Sequence, residues 1–490
     1  MSRDLSPLFD PAGIIVTGVS SHPGKFGFVT LHNLLTAGYR GAIFPVGREP
    51  GRVLDREVLG SIDDVPEGAA DLVFVCTPPS LNEGILRACA AKGVRAAFVA
   101  AAGYREAGPD GAEAERRLVA LADELGIVLA GPNGQGVVST PASMCAQIVA
   151  PYAPPGRIAV ASQSGNFVSS FLNLAHHTGV GISRAVSAGN AAALGIVDYL
   201  EWFADDPETS VAIAYLESVG SEGEGRQMAE RLRRVSERLP VVVVKGGASA
   251  AGARAAASHT GALAADDVVF DGIARQVGLI RARDVEEAFE AAATLATQPL
   301  PGGNRVVVVT TVGGWGVAAV DAMADTRLDP IALPPDLFEA VDALLPPRWS
   351  RNNPIDMAGG ETRDTVPRIL ELAASHPDVD AVLFLGLGIQ SNTAAMMRSG
   401  PFWPGHGLER IVAFHERQDT RYARAVAEIA EATGTPVLAA TELAVARPDN
   451  PGPATLRSLG RLCHASAGRA VRSLDLLARH AAWRRARNLT

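Results

Sequence analysis

Residues 245–267 read KGGASAAGARAAASHTGALAADD, a run of Gly, Ala and Ser that carries one imidazole, His259. Residues this small leave a loop free to move and to approach other backbones closely. A lone imidazole on such a loop suggests a carried group. The same Ala run, 251–257, also has the propensity of an ordinary helix start, with His259 as its cap or decoration. Other stretches weigh on that choice. VAIAYLESVG reads as a strand ending at Glu217, and a carboxylate beside a histidine would fix the ring and favour imidazolium. RIAVASQSG reads as a strand running into Ser164, Gly165 and Asn166 and then a helix, so free amides and the helix dipole face one spot. That is an anion site in form. RVVVVTTVGGWG repeats the arrangement, with Gly313 and Gly314 opening a second helix. The four valines 241–244 form the strand that enters the His259 loop. Ser164, Glu217 and the root of that loop therefore sit at carboxyl ends of strands in one sheet, where they can converge on one rim.

The elements that must position these groups follow from strand–helix alternation. Residues 12–140 alternate apolar strands (AGIIVTGVS, GAIFPVG, DLVFVCTP, AAFVAAAGY, IVLAGPNG) with amphipathic helices such as FVTLHNLLTAG, closed by Gly38. This spacing predicts a doubly wound parallel α/β sheet, whose ligands bind beyond the carboxyl ends of the strands. Those ends include Gly18, Ser20 and Ser21, then Gly47, then Ala101, Ala102 and Gly103. The first turn, GVSSHPGKFG, is not GxGxxG, and only Glu49 offers an acid for a ribose, so it makes a poor NAD site. Its small residues and Lys25 suit a nucleotide phosphate at a helix start. Residues 141–156 read as a linker ending in PYAPPG. A second α/β unit follows, closed by a helix over 276–297 and the linker QPLPGGN. A third unit contributes strands at VDAVLFLGLG, RIVAFHE and TPVLAATE and ends in an amphipathic helix, RAVRSLDLLARHAAWRRAR. The second and third units read as a distant repeat.

Composition narrows the class. A chain of 490 residues with 47% hydrophobic residues supports about three domains. A net charge of −9 with mixed signs argues against a nucleic-acid-binding body. Cys76, Cys89, Cys145 and Cys463 form no CxxC pair and read as reduced core thiols, and the N-terminus lacks a signal-peptide pattern. No apolar run reaches ~18 residues, so no membrane span is expected, and the reading is cytoplasmic.

With these motifs in place, the chain resembles the alpha subunits of NDP-forming acyl-CoA synthetases, the ADP-forming acetate–CoA ligases related to succinyl-CoA synthetase. The resemblance spans about residues 8–485. Its most specific motif is AGARAAASHTGALA, similar to that family's phosphohistidine loop, supported by GVSSHPGKFG, AAGYREAG, GPNGQG, SQSG, AYLES, TTVGGWG and NNPIDM. It implies a Rossmann-like CoA-binding domain over 8–140 and two flavodoxin-like ligase domains over 155–297 and 303–485. It implies His259 as the phosphorylated residue and Glu217 as its hydrogen-bonding partner. Ser164, Gly165 and Asn166 would hold phosphate at one helix start, and Gly313 and Gly314 at the other. CoA would lie against Gly18, Ser20, Ser21, His22, Pro23, Lys25, Arg48, Ala101, Ala102 and Gly103. The implied reaction is acyl-CoA, phosphate and ADP to acid, CoA and ATP, reversibly, through an acyl phosphate and a phosphohistidine. Histidine is a competent phosphoryl carrier, and such transfer is mostly positioning and electrostatics.

The chain departs from the family at three turns. Asn190 is followed by Ala191, Ala192 and Ala193, without the usual aspartate. Trp315 stands where proline is common, and GPNG replaces GPNC. No ATP-grasp domain is found in the chain, so ATP or ADP and Mg are expected only through a separate ATP-grasp beta subunit, in a hetero- or homo-oligomer. No metal site of its own, nucleic acid or membrane is expected. The competing readings are a non-catalytic CoA- or acyl-CoA-binding protein and, on the first domain alone, an NAD-dependent oxidoreductase.

Overall fold

The computed structural model describes all residues except 1–2, 150–151, 218–224, 250, 253, 255–266, 361–362, 442–446, 448 and 490. Strands such as Val241–Lys245 and Arg305–Thr310 are apolar on both faces, and such strands are stable only in parallel sheets covered by helices on both sides. Three sheets of this kind form.

In the first, all parallel, the strands lie in the order Ala42–Pro45, Gly13–Val16, Leu72–Val75, Ala96–Val99, Val128–Ala130. In the second, Ile280–Arg281, Val241–Lys245, Val211–Leu216, Pro155–Ser162 and Ile182–Ser187 run parallel. The antiparallel hairpin of Gly136–Ser139 and Met144–Gln147 completes that sheet beside Ile182–Ser187. The third runs Asp329–Pro330, Arg305–Thr310, Ala381–Leu385, Val437–Ala440, Cys463–His464, with Ile355–Asp356 paired to the end of Arg305–Thr310. Among the parallel strands of each sheet, the one that comes first along the chain lies between the second and the later ones. The strand order reverses beside it, and a crevice opens at the carboxyl ends there. In the second sheet the reversal falls between Pro155–Ser162 and Val211–Leu216, the strands that lead to Ser164 and Glu217.

The sheets fall into two compact units, Met1–His177 with Gly181–Phe289 and Thr178–Val180 with Glu290–Thr490. In the first unit one apolar cluster runs from Leu5 and Phe9 through Phe74 and Phe98 to Val243 and Phe270, so two sheets share a core. A buried guanidinium ties it together. Arg184 reaches Asp206 with Nε at 3.1 Å and Asp10 with Nη1 at 2.5 Å, and Nη1 also donates to Ser139. In the second unit Val307 and Val309 face one core and Val306 and Val308 the other, as a period of two requires.

Three expectations about elements are corrected. RIVAFHE is no strand but lies within the helix Leu408–Thr433, whose buried Val412, Asp419, Tyr422, Val426 and Ala430 recur at seven-, three- and four-residue spacing. The stretch 141–156 is no simple linker, since Met144–Gln147 pairs into the second sheet. The helix expected over 276–297 is two helices, Asp267–Val277 and Val285–Thr297. Gly278, at φ +87°, ends the first, and the short strand Ile280–Arg281 separates them.

Candidate functional site

The second-sheet rim is built by a strand-end hydroxyl. Ser162 Oγ donates to the Ser164 carbonyl at 2.7 Å and accepts from the Ser164 amide at 3.1 Å, which turns the chain out of the strand and into the helix Gly165–Thr178. Gln135 closes the other side of that helix start. Its Nε2 donates to Asn166 at 3.1 Å, its Oε1 accepts from Ser169 at 3.1 Å, and a Cβ on Gly165 would lie 2.4 Å from its side chain. On the adjacent strand the Glu217 amide donates to Gln163 Oε1 at 2.5 Å, and its carboxylate accepts from the Tyr215 hydroxyl at 3.3 Å. Ser164, Gly165, Asn166 and Glu217 thus flank the reversal point of one sheet, at the ends of paired strands in which Ser162 lies opposite Tyr215.

His259 lies outside the described residues, but both ends of its loop are described. Val241–Lys245 delivers one end to the same rim, with Lys245 opposite Leu216. The other end is Asp267, the first residue of the helix Asp267–Val277. Lys245, with a buried side chain, approaches Asp267 to 3.5 Å, and Arg281 holds the same carboxylate at 2.7 and 2.9 Å. Burial pushes the Asp267 carboxyl up, but Arg281 and Lys245 outweigh it and hold it below the usual range. The roots of the loop are therefore clamped together, while roughly twenty residues lie between them, a contour of tens of ångströms.

The third sheet repeats the device. Thr310 Oγ1 donates to the Val312 carbonyl at 2.8 Å and accepts from the Val312 amide at 2.9 Å, and the helix Gly313–Met323 follows. A Cβ on Gly313 would lie 2.4 Å from Asp356 Oδ2. Each helix thus has a hydroxyl three residues before its first glycine, and a polar side chain closes against that glycine. The repeat read from the sequence has a physical basis in these two turns.

The first-sheet crevice is a backbone cradle. Gly18 has φ +68°, and a Cβ there would lie 2.9 Å from the Cys76 carbonyl oxygen. A Cβ on Gly27, in the first turn of the helix Phe26–Thr36, would lie 2.4 Å from the Gly18 oxygen. Ser20, Ser21, His22, Pro23 and Lys25 are exposed around this turn, with His22 Nδ1 accepting from the Gly24 amide at 3.0 Å. Arg48 is exposed past the end of Ala42–Pro45, and Ala101 to Gly103 lie past the end of Ala96–Val99. These residues surround one rim, with two cations and close backbone, an arrangement suited to phosphates.

A junction missed by the sequence reading centres on Asn190. Its Nδ2 donates to Glu106 at 2.6 Å and to Glu115 at 2.7 Å, its Oδ1 accepts from Asn133 at 3.3 Å, and its carbonyl accepts from Arg105. Two quoted motifs, AAGYREAG and GPNGQG, therefore meet at the Asn190 turn. Burial pushes the Glu106 carboxyl up, but hydrogen bonds from Asn190 and from the Gly103 and Tyr104 amides hold it below the usual range. Gly134 belongs to the same junction, and a Cβ there would lie 2.4 Å from the Ser187 oxygen and 2.7 Å from the Phe98 ring. The glycine of GPNG is thus required by packing. Among the described residues no group of three or more His, Cys, Asp or Glu is placed to hold a metal ion, and no helix is long and apolar enough to cross a membrane.

Comparison with known proteins matches these regions to a CoA binding domain over residues 13–180, a succinyl-CoA ligase like flavodoxin domain over 155–295 and a ligase-CoA domain over 306–397. The acetate–CoA ligase [ADP-forming] I subunit alpha of Pyrococcus furiosus is 34% identical over 391 residues, covering 78% of this chain and 82% of that one. Acetate–CoA ligase [ADP-forming] I of Archaeoglobus fulgidus is 35% identical over 77% of this chain, but the match spans only 54% of that longer protein. The dinucleotide-forming acetyl-coenzyme A synthetase 1 of Ca. Korarchaeum cryptofilum, solved with phosphate and ADP, superposes with a TM-score of 0.85 at 30% identity, covering 99% of each chain. These relatives are ligases, and they support the ligase reading over that of a non-catalytic CoA-binding protein. The chain belongs to the alpha subunits of the NDP-forming acyl-CoA synthetases, acid–thiol ligases of the ADP-forming acetate–CoA ligase family.

Proposed function

We propose that this chain carries the acyl and phosphohistidine chemistry of such a ligase, with domains over 8–140, 155–297 and 303–485, and that a separate ATP-grasp subunit completes it. The observation that carries this reading is the meeting of Ser164, Glu217 and both roots of the His259 loop at one rim of the second sheet. The acyl-CoA nucleotide lies against the Gly18 to Lys25 turn, Arg48 and Ala101 to Gly103. A phosphate oxygen attacks the thioester carbonyl, the C–S bond breaks, and the thiolate takes a proton and leaves as CoA. A nitrogen of His259 then attacks the phosphorus of the acyl phosphate, the P–O bond to the acyl group breaks, and the acid leaves as carboxylate. Glu217 orients the ring and stabilises the positive charge that it gains. The helix starts at Ser164 to Asn166 and at Gly313 and Gly314 receive the phosphoryl oxygens. The loop then presents phosphohistidine to ADP, which with Mg belongs to the partner. One of the relatives is named as a subunit alpha, which supports a partner chain. CoA thioesters and ADP are cytoplasmic metabolites, which supports a cytoplasmic location.

The test is stoichiometric. The chain and its ATP-grasp partner, given acyl-CoA, phosphate and ADP, are expected to release free thiol and form ATP in equal amounts, and omitting phosphate should stop both. Thiol release that persists without phosphate would identify a hydrolase and contradict the reading.

A further inference from the structure

Tyr215 touches three parts of the rim at once. Its hydroxyl donates to Glu217 Oε1 at 3.3 Å. Its ring meets Phe167 edge-on, with centroids 4.3 Å apart, and Phe167 lies in the first turn of the helix opened by Gly165. Its hydroxyl oxygen lies 2.7 Å from where a Cβ on Gly246 would stand, at the point where the His259 loop leaves the sheet. Phe167, Tyr215, Lys245 and Gly246 together line a cavity of about 680 Å³. Burial and the Glu217 carboxylate push the Tyr215 hydroxyl up to about 12, so near neutral pH it is a protonated donor.

Gln163 and Tyr215 both restrain Glu217. Gln163 fixes its backbone amide, and Tyr215 contacts its carboxylate. The nearby cation, Lys245 on the adjacent strand, is turned towards Asp267, which Arg281 also holds. From the same strand the tyrosine hydroxyl meets the carboxylate directly.

We propose that Tyr215 is a positioning residue for phosphoryl transfer, its hydroxyl holding the Glu217 carboxylate in the orientation that receives the imidazole of the loop leaving at Gly246. The proposal rests on the reading of His259 as the phosphorylated residue. A carboxylate held by a hydrogen bond has fewer rotamers to lose when the loop arrives.

The test is Tyr215→Phe, which keeps the ring against Phe167 and deletes only the hydroxyl. Phosphohistidine formation from acyl-CoA and phosphate is followed in wild type and variant, together with the KM for acyl-CoA and the thermal midpoint. The expected result is a rate about ten- to a hundredfold lower, the worth of one hydrogen bond to a charged group. KM and thermal midpoint should be little changed. An unchanged rate, with wild type phosphorylated on His259, would overturn the role of Tyr215 alone. A fall in rate that travels with a lowered thermal midpoint would assign a structural role and also overturn it. Absence of phosphate on wild-type His259 would remove the underlying reading as well. Gly246→Ala supplies an independent variant: it should impair transfer in wild type by crowding the hydroxyl and recover part of the rate when combined with Tyr215→Phe. Equal impairment in both backgrounds would deny the contact.

Discussion

Glu217→Gln is expected to slow phosphate transfer onto the protein by roughly 10²–10⁴-fold, the range for a side chain that stabilises proton and charge on a reacting group. The amide is isosteric, so the Gln163 contact to the backbone survives and the Tyr215 hydroxyl still finds an oxygen. What disappears is the negative charge that would balance the imidazolium-like ring after histidine has attacked phosphorus. CoA binding, at the rim of the first sheet, should not change. The check is single-turnover phosphorylation of the variant beside calorimetric titration with CoA. Near-wild-type phosphorylation would show that Glu217 is only a solvated strand end, and a parallel loss of CoA affinity would point to a disturbed fold.

Arg184→Leu should have the largest effect on stability. The guanidinium is buried between Asp206, Asp10 and Ser139, and the side chains of Arg184 and Asp206 are 4% and 3% exposed. Removing the cation strands the buried Asp206 carboxylate without its charge partner, at a cost of about 3–5 kcal/mol. For a unit of this size that lowers the thermal midpoint by on the order of 10 °C. The loss should fall on the first unit, because Arg184 ties the N-terminal segment at Asp10 to the hairpin strand Gly136–Ser139 and to the second sheet. The double change Arg184→Leu with Asp206→Leu should recover part of it, since an absent pair is less costly than a broken one. Differential scanning calorimetry of the three proteins decides this, and a midpoint for Arg184→Leu within a degree or two of wild type would contradict it.

The valine-rich strands and their glycine or hydroxyl ends were legible in the sequence because they are local. A fully apolar strand of five or six residues followed by Ser-Gly or Gly-Gly and a helix carries both its burial and its anion-binding form within about fifteen residues. The helix over RIVAFHE was not legible at that range. Four consecutive apolar residues, 411–414, pass for a short buried strand, and only the longer window to Ala430 shows the helical period. The strand Met144–Gln147 is four residues long, and its place is set by pairing with Gly136–Ser139 and packing against Asn33, whose Nδ2 reaches the Gln147 carbonyl at 2.9 Å. Nothing within 144–147 announces that partner. The Asn190 junction is hidden for the same reason, since Glu106 and Glu115 lie far from it in sequence. Gln135 and Asp356 stood inside quoted motifs, GPNGQG and NNPIDM, but motif letters do not say which helix start a side chain will close. The departures at Asn190 and Gly134 acquire physical content from the fold. Gly134 has no room for a side chain, and the turn that lacks an aspartate of its own is met by two carboxylates from elsewhere in the first unit.

The central claim is that His259 carries phosphate between two half-reactions. The most direct measurement is the intact mass of the pure protein at neutral pH after mixing with inorganic phosphate and a panel of acyl-CoAs, with and without the ATP-grasp partner. The account predicts the gain of one acid-labile phosphate that is absent in His259→Ala, with the responding thioester naming the acyl group. No gain with any thioester, with the partner present, would contradict it.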